Sequence, residues 1–236
     1  MTVQDLSAPD KETLRRFFDG IASGYDQINS LLSFSLDQSW RKRAARMILN
    51  GKVGQARILD LGVGTGKFLN VFLKKRPWQL AVGVDFAAEM LGKARQALPA
   101  SCRLLQADIH DLPFAGESFD FVVSSFTLRS VKDRGHFFEE VRRILRPGGK
   151  VGFLCLTRPA SFAGRALYAP YLKFYLPFMG GLLSSSPDAY RFLSESIQTF
   201  PSPQEVGGQL ESLGFCDIAL RPFTFGISTL IKAVKK

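Results

Sequence analysis

From Ala56 onward, short apolar runs alternate with segments whose apolar residues recur every three or four positions. The runs are "ARILDL" (56–61), "LAVGVD" (80–85), "CRLLQAD" (102–108), "SFDFVVSS" (118–125) and "GKVGFLCL" (149–156). Their length, and the Gly, Pro, Asp and Ser that bound them, predict buried strands. Between them, "GKFLNVFLKK" (66–75), "AAEMLGKARQAL" (87–98) and "RGHFFEEVRRIL" (134–145) carry the helical period. Strands alternating with helices predict a parallel sheet covered on both faces. Two helices are expected ahead of this alternation. One covers "KETLRRFFDGIASGYDQINSLL" (11–32), and a second is N-capped by Asp37 and runs through "QSWRKRAARMIL" (38–49).

After Arg158 the alternation stops. An aromatic-rich stretch follows, "SFAGRALYAPYLKFYLPFMGGLLSSSPDAYRFLSESI" (161–197), with Pro170 and Pro177 expected to interrupt any long helix. A helix "PQEVGGQLESLG" (203–214) and two runs, "FCDIALRPF" (215–223) and "FGISTLIKAV" (225–234), then resume the pattern and predict a closing hairpin. The expected architecture is α/β: one domain over 1–236 with a central, mostly parallel seven-stranded sheet. Its parts are a helical N-terminal lid (1–50), a core (51–158), a helical insertion (159–200) and a C-terminal helix with hairpin strands (201–236).

Composition narrows the classes. Of the 236 residues, 46% are hydrophobic and 22% charged, ordinary values for a globular protein. No run of about 18 apolar residues predicts a membrane span, and "MTVQDLSAPDKE" has neither the basic nor the apolar part of a secretory signal. Cys102, Cys155 and Cys216 form no CxxC pair, so neither a disulfide framework nor a metal site is expected, and a reducing cytoplasm suits them. The net charge is +10, concentrated in "WRKRAAR" (40–46), "KKR" (74–76) and "RRILR" (142–146). These runs read as solvated helix faces, with contact at an anionic membrane surface as the alternative.

The candidate chemistry begins at "ILDLGVGTGKF" (58–68), where a strand runs into Gly62, Gly64 and Gly66. A P-loop requires Gly-Lys-Ser/Thr, but Lys67 is followed by Phe68. A dinucleotide fingerprint requires its third glycine at position 67, which is lysine. An acidic residue followed by alternate glycines suits another ligand. The glycines let the backbone approach closely, and Asp60 can pair with a cationic amine, such as that of S-adenosylmethionine. Asp85 ends the next strand, where a carboxylate accepts ribose hydroxyls, and Phe86 beside it is counted with that site. Asp108 and Ile109 follow the third strand, placed for an adenine amino group and its ring. Asp85 as a helix cap and Asp108 as a turn cap are the plain alternatives.

With those residues in place the chain resembles the class I S-adenosylmethionine-dependent methyltransferases. Within them it is similar to the ubiquinone/menaquinone biosynthesis C-methyltransferases of the UbiE/MenG type. "FFDGIASGYDQINSLLSFSLDQSWRK" (17–42), "SSFTLRSVKD" (124–133) and "PDAYRFLSESIQTFPSPQEV" (187–206) carry the more specific part of the likeness. It implies a Rossmann-like fold, S-adenosylmethionine as cofactor, and contacts to it from Thr65, Asp85, Asp108, Ile109 and Ser125. It implies a polyprenylated quinol as substrate, either demethylmenaquinol or a methoxy-polyprenyl benzoquinol. Three positions depart from the family: Lys67 where Asp is common, Cys155 where Glu is usual, and a C-terminus, "ISTLIKAVKK", without His-x-Gly.

Methyl transfer to a ring carbon is an in-line displacement on an electron-rich ring, preferably a phenolate, so a base or a cationic partner for the ring hydroxyl is expected. Arg129 is the first candidate; Tyr25 and Asp26 in the lid are the next. Tyr190 and Arg191 are expected in the substrate wall. His110 reads as a loop residue and His136 as a surface one. The aromatic insertion reads as core or, given a polyprenyl tail, as a lipid groove. A homodimer is the expected assembly if the chain associates, and no nucleic-acid partner is expected. The rival readings are a methyltransferase for a phospholipid or sterol and a non-catalytic subunit of a quinone-synthesis assembly.

Overall fold

A computed structural model describes residues 11–21, 24–50, 55–176, 178–179 and 187–236. Seven strands form one sheet: β1 (Arg57–Leu61), β2 (Leu80–Asp85), β3 (Arg103–Gln106), β4 (Phe119–Ser125), β5 (Leu145–Leu156), β6 (Phe215–Phe223) and β7 (Ser228–Lys235), in the order β3-β2-β1-β4-β5-β7-β6. The first five are parallel, and β7 runs antiparallel between β5 and β6, so the hairpin inserts its second strand into the sheet. The register of β4 against β5 jumps from Phe119↔Leu145 to Phe121↔Lys150. The sequence Arg-Pro-Gly-Gly (146–149) lies in the gap.

Helices cover both faces. On one side stand α3 (Leu36–Ile48), α4 (Lys67–Leu73) and α5 (Ala88–Ala97); on the other stand α6 (Arg134–Ile144) and the C-terminal α9 (Pro203–Ser212). Strand alternation divides the core. Leu59, Val82, Val122 and Phe153 pack against α6 and α9, whereas Ile58, Ala81, Val123 and Leu154 pack against α3, α4 and α5. Ser202 and Glu205 close a capping box on α9.

A third cluster, including Ile28, Leu32, Leu172, Leu176, Tyr190 and Ile197, holds a helical cap together. It draws on α1 (Lys11–Ile21), α2 (Tyr25–Leu32), α7 (Phe162–Pro170) with its π-helical continuation Tyr171–Tyr175, and α8 (Pro187–Thr199). Tyr168, Tyr171 and Tyr175 stack at 5.4 Å centroid spacing. The Tyr171 hydroxyl donates to the Leu32 carbonyl (2.8 Å), tying the insertion to α2.

Two expectations need correction. The single opening helix is two: the first ends at Ile21 and the second starts at Tyr25, with the Gly24 N–H donating to the Ile21 carbonyl (3.1 Å). Asp37 is not the N-cap of α3; left-handed Ser35 precedes the helix, and Asp37 sits in the first turn paired with Arg41. Pro170 ends its α-helix, as expected, but not the helical path; the chain passes directly into a π turn at Tyr171–Tyr175. Pro177 lies outside the described residues.

The contact of α3 with β5 depends on a missing side chain. A Cβ on Gly152 would lie 2.2 Å from Ile48 Cδ1. We expect Gly152→Ala to cost about 1–3 kcal/mol in chemical denaturation, with most of the loss recovered when Ile48 is also truncated to alanine. Additive losses would contradict this packing.

Candidate active site

The glycine turn is built from β1 and β2 together. The Gly62 and Val63 N–H groups both donate to the Val84 carbonyl (2.8 and 2.9 Å). Gly62 has φ of +68°, and a Cβ there would strike Thr127 at 2.3 Å. Gly64, at φ +54°, faces open space, so its backbone is free for close approach by a ligand. Asp85 clamps this arrangement: its Oδ2 accepts from the Gly64 N–H (2.8 Å) and its Oδ1 from the Ala87 N–H (3.0 Å). Burial raises its pKa, and the N–H groups of Ala87, Gly64 and Phe86 offset part of that rise.

Asp60 is only 1% exposed, and neither carboxylate oxygen makes a hydrogen bond of normal geometry. Burial pushes its pKa well above the usual carboxylate range, against a smaller lowering from Arg41. A buried carboxylate without a donor suits a cationic ligand group. Asp108 Oδ1 accepts from the His110 N–H (3.0 Å) and lies 2.8 Å from His110 Nδ1. Ile109 packs against the core beside it. The Phe86 carbonyl accepts from Gln106 Nε2 (3.0 Å), and its ring meets Phe18 of α1 edge-on. Ser125 ends β4, and its carbonyl accepts from the Thr127 hydroxyl (3.3 Å). These residues therefore lie at or just beyond the carboxyl ends of adjacent parallel strands, where open α/β sheets bind ligands.

The lid reaches the same turn. Thr65 Oγ1 donates to Asp26 Oδ1 (2.9 Å), and Lys67 Nζ lies 3.3 Å from that oxygen and 3.4 Å from the Asp26 carbonyl. Lys67, a departure in the sequence, thus has an acidic partner on α2. Gly66, in left-handed conformation, precedes α4.

Tyr25, Asn29 and Leu32 of α2 also line a cavity of 570 Å³. Its walls are largely apolar, with Phe18, Trp40, Phe126, Leu156, Tyr168 and Leu193 among them. Tyr25 and Arg129 line it. Arg129 Nη1 donates to Ser196 Oγ (2.9 Å), and its guanidinium lies 5.8 Å from the Phe192 ring centroid. No ion pair joins it to a carboxylate among the described residues. Burial lowers its pKa, and the Tyr25 hydroxyl raises it less. Burial raises that of Tyr25, opposed by Arg129 and Arg41. The buried Tyr190 hydroxyl has no hydrogen-bond partner among the described residues, and Tyr190 lines the same cavity. Arg191 is exposed on α8 and does not line the cavity. His136 is exposed, and neither it nor His110 lines the cavity. Burial pushes the Cys155 thiol up to about 12, which leaves it a small core residue on β5.

Arg41 and Asp37 are cavity residues that the solvated-face reading missed. Lys42, Arg43 and Arg46 are exposed, but Arg41 is only 9% exposed and spans Phe126, its Cζ 4.8 Å from the ring centroid. The signal was present: positions 37, 41, 44 and 48 form one helical stripe with buried Ala44 and Ile48.

The ubiE/COQ5 methyltransferase family model matches residues 7–235. A demethylmenaquinone methyltransferase of Thermotoga maritima is 36% identical, covering 92% of this chain and 94% of its own length. Its Thermus thermophilus counterpart is 37% identical, covering 90% and 97%. A ubiquinone/menaquinone biosynthesis C-methyltransferase UbiE of Geotalea daltonii is 34% identical over 95% and 97%. Among solved structures, a phosphoethanolamine N-methyltransferase of Haemonchus contortus in complex with S-adenosyl-L-methionine shares the fold. Its TM-score is 0.60 at 19% identity, over 83% of this chain and 52% of its own.

Asp60 generates a pH prediction. Its raised pKa in the free protein and the positive charge of the cofactor's amine make binding release protons from Asp60. Affinity for S-adenosylmethionine should therefore strengthen as pH rises, until Asp60 is ionised in the free protein as well. Because the folded-state pKa is raised, the stability Asp60 contributes is present below its unfolded pKa and lost as pH rises through the folded one. Asp60→Asn should flatten the affinity profile and raise the Tm of the free protein at alkaline pH. Calorimetric titration across pH and thermal melts check both; an unchanged profile in the variant would contradict the assignment.

Proposed function

Because this chain belongs to the ubiE/COQ5 methyltransferase family, we propose that it transfers a methyl group from S-adenosylmethionine to a ring carbon of a polyprenylated quinol. The reading covers demethylmenaquinol and a methoxy-polyprenyl benzoquinol. The observation that supports this acceptor is Arg129, a guanidinium without a carboxylate partner in an apolar cavity, beside the Tyr25 hydroxyl.

S-adenosylmethionine supplies an electrophilic methyl carbon on a sulfonium. On this reading, Asp60 holds its amine, Asp85 its ribose and the Asp108–Ile109 pair its adenine, with Gly62, Gly64 and Gly66 shaping the turn. The chain's remaining task is to present an electron-rich ring. Arg129 and Tyr25 hold one ring oxygen, and the low-dielectric wall strengthens the attraction between guanidinium and phenolate. A phenolate raises the electron density at the adjacent carbon; that carbon bonds to the methyl group as the methyl–sulfur bond breaks, and it then loses its hydrogen as a proton, which restores the aromatic ring. The aromatic wall excludes water, so positioning accounts for much of the rate.

The same reading extends to a membrane. Phe162, Leu167, Phe174 and Phe225 are 83%, 85%, 65% and 93% exposed, and Leu167 and Phe225 also line the cavity. Arg165 and Lys173 stand among the aromatics of the insertion. Such a surface suits the outer layer of an anionic bilayer, where a polyprenyl tail is dissolved. No helix among the described residues is long and apolar enough to cross a membrane.

The test is transfer of labelled methyl from S-adenosylmethionine to chemically reduced demethylmenaquinone. Label is expected on the quinol ring carbon, with none after Asp85→Ala and a kcat about 10²–10³-fold lower after Arg129→Met. Cofactor binding without label in either quinol would contradict the proposal. In flotation assays, anionic vesicles should retain part of the bound protein at high salt, because apolar contact survives screening; complete release would limit the attachment to electrostatics.

A further inference from the structure

The cavity has a second polar cluster that the chemistry above leaves unused. Arg41 Nη1 pairs with Asp37 Oδ2, and Ser33 Oγ donates to Asp37 Oδ1 (3.1 Å). Ser33, Asp37 and Arg41 all line the cavity, and the Asp37 and Arg41 side chains are 5% and 10% exposed. A buried ion pair is expensive to maintain, and breaking one by removing a partner is strongly destabilising. This pair is placed on the wall of a substrate chamber, not in the packed core.

Its chemistry is asymmetric. Arg41 turns one Nη to Asp37, its Nε is sealed without a partner among the described residues, and its plane lies over Phe126. Asp37 keeps acceptor capacity: each of its oxygens accepts one hydrogen bond and has lone-pair capacity for another. As the acidic partner of an ion pair, Asp37 presents the cavity with acceptors only. A reduced ring carries two hydroxyls, each able to donate; the oxidised ring carries two carbonyls, which only accept. Arg129 and Tyr25 serve one ring oxygen in either oxidation state, since both are donors.

From this we infer that Asp37, held by Arg41 and Ser33, accepts the second ring hydroxyl and so selects the quinol over the quinone. The inference rests on the proposed acceptor. Discrimination at the binding step has a use, because only the electron-rich reduced ring can be methylated. An oxidised ring with the same tail would otherwise occupy the chamber unproductively. Facing the Asp37 carboxylate with a carbonyl leaves two acceptors opposed and buried, the arrangement by which polar sites reject near-isosteric ligands. Asp37 is a specificity residue here, and Arg41 and Ser33 are its positioning residues.

The experiment measures binding of a short-chain prenyl naphthoquinone and of its dithionite-reduced form to the full chain. It uses anaerobic equilibrium dialysis, with S-adenosylmethionine absent. Wild-type protein should bind the reduced form at least about tenfold more tightly, the discrimination expected of one buried polar mismatch. Asp37→Asn, whose amide can also donate, should bring the two affinities within about threefold. Arg41→Gln combined with Asp37→Asn removes both charges, guards against misfolding from an unpaired guanidinium, and should give the same convergence. Retained S-adenosylmethionine binding serves as the folding control. Equal wild-type affinities, or an unchanged preference in folded variants, would overturn the selection by Asp37 while leaving the methyl acceptor in place. Failure of wild-type protein to bind either ring would overturn the acceptor itself.

Discussion

Asp26 is the junction on which the site depends. One carboxylate oxygen receives the Thr65 hydroxyl and the Lys67 ammonium, both from the glycine turn, while the neighbouring Tyr25 faces the apolar cavity. Two consecutive residues of α2 therefore link the glycine turn to the lining of the ring chamber. Methyl transfer requires the two ligands on one axis, and displacements near 1 Å are costly. Pinning the lid to the turn sets the separation between them. Lys67 is foreign to the usual family pattern, yet it fits this arrangement because it gives Asp26 a charged partner as well as a hydroxyl.

Around that junction, polar groups are left under-satisfied where a ligand would meet them. Among the described residues, neither Asp60 oxygen has a hydrogen bond of normal geometry, Arg129 pairs with no carboxylate, and the Tyr190 hydroxyl has no partner. Each costs the free protein stability, and the sheet has to offset it. It does so through two core layers that alternate residue by residue along every central strand, and through the close approach of α3 to Gly152.

Much of the core was legible in the sequence. The strand ends bearing Asp60, Asp85 and Ser125 followed from apolar runs bounded by Gly, Asp and Ser, because a parallel strand buried on both faces leaves that signature. The cap was less legible. A helix expected across 11–32 is two, since the apolar periodicity runs on through both, and Gly20 and Gly24 were weak markers. Arg41 was hidden by composition: inside "WRKRAAR" it looks like its exposed neighbours, and only the stripe through 37, 41, 44 and 48 separates it from them. Arg191 shows the converse, an exposed residue next to buried Tyr190. Asp26 was visible as part of a Tyr-Asp pair, but its partners lie 39 and 41 positions away and no local pattern points to them.

The most direct test of this account is a comparison of Asp26→Ala with the wild type for three quantities: S-adenosylmethionine affinity, quinol affinity and kcat. If Asp26 sets the alignment, each ligand should still bind within a few-fold of wild type, while kcat falls by about 10²-fold, the cost of a small misplacement of reacting groups. An unchanged kcat with both ligands bound would contradict the central claim, because the two sites would then be aligned by something other than this contact.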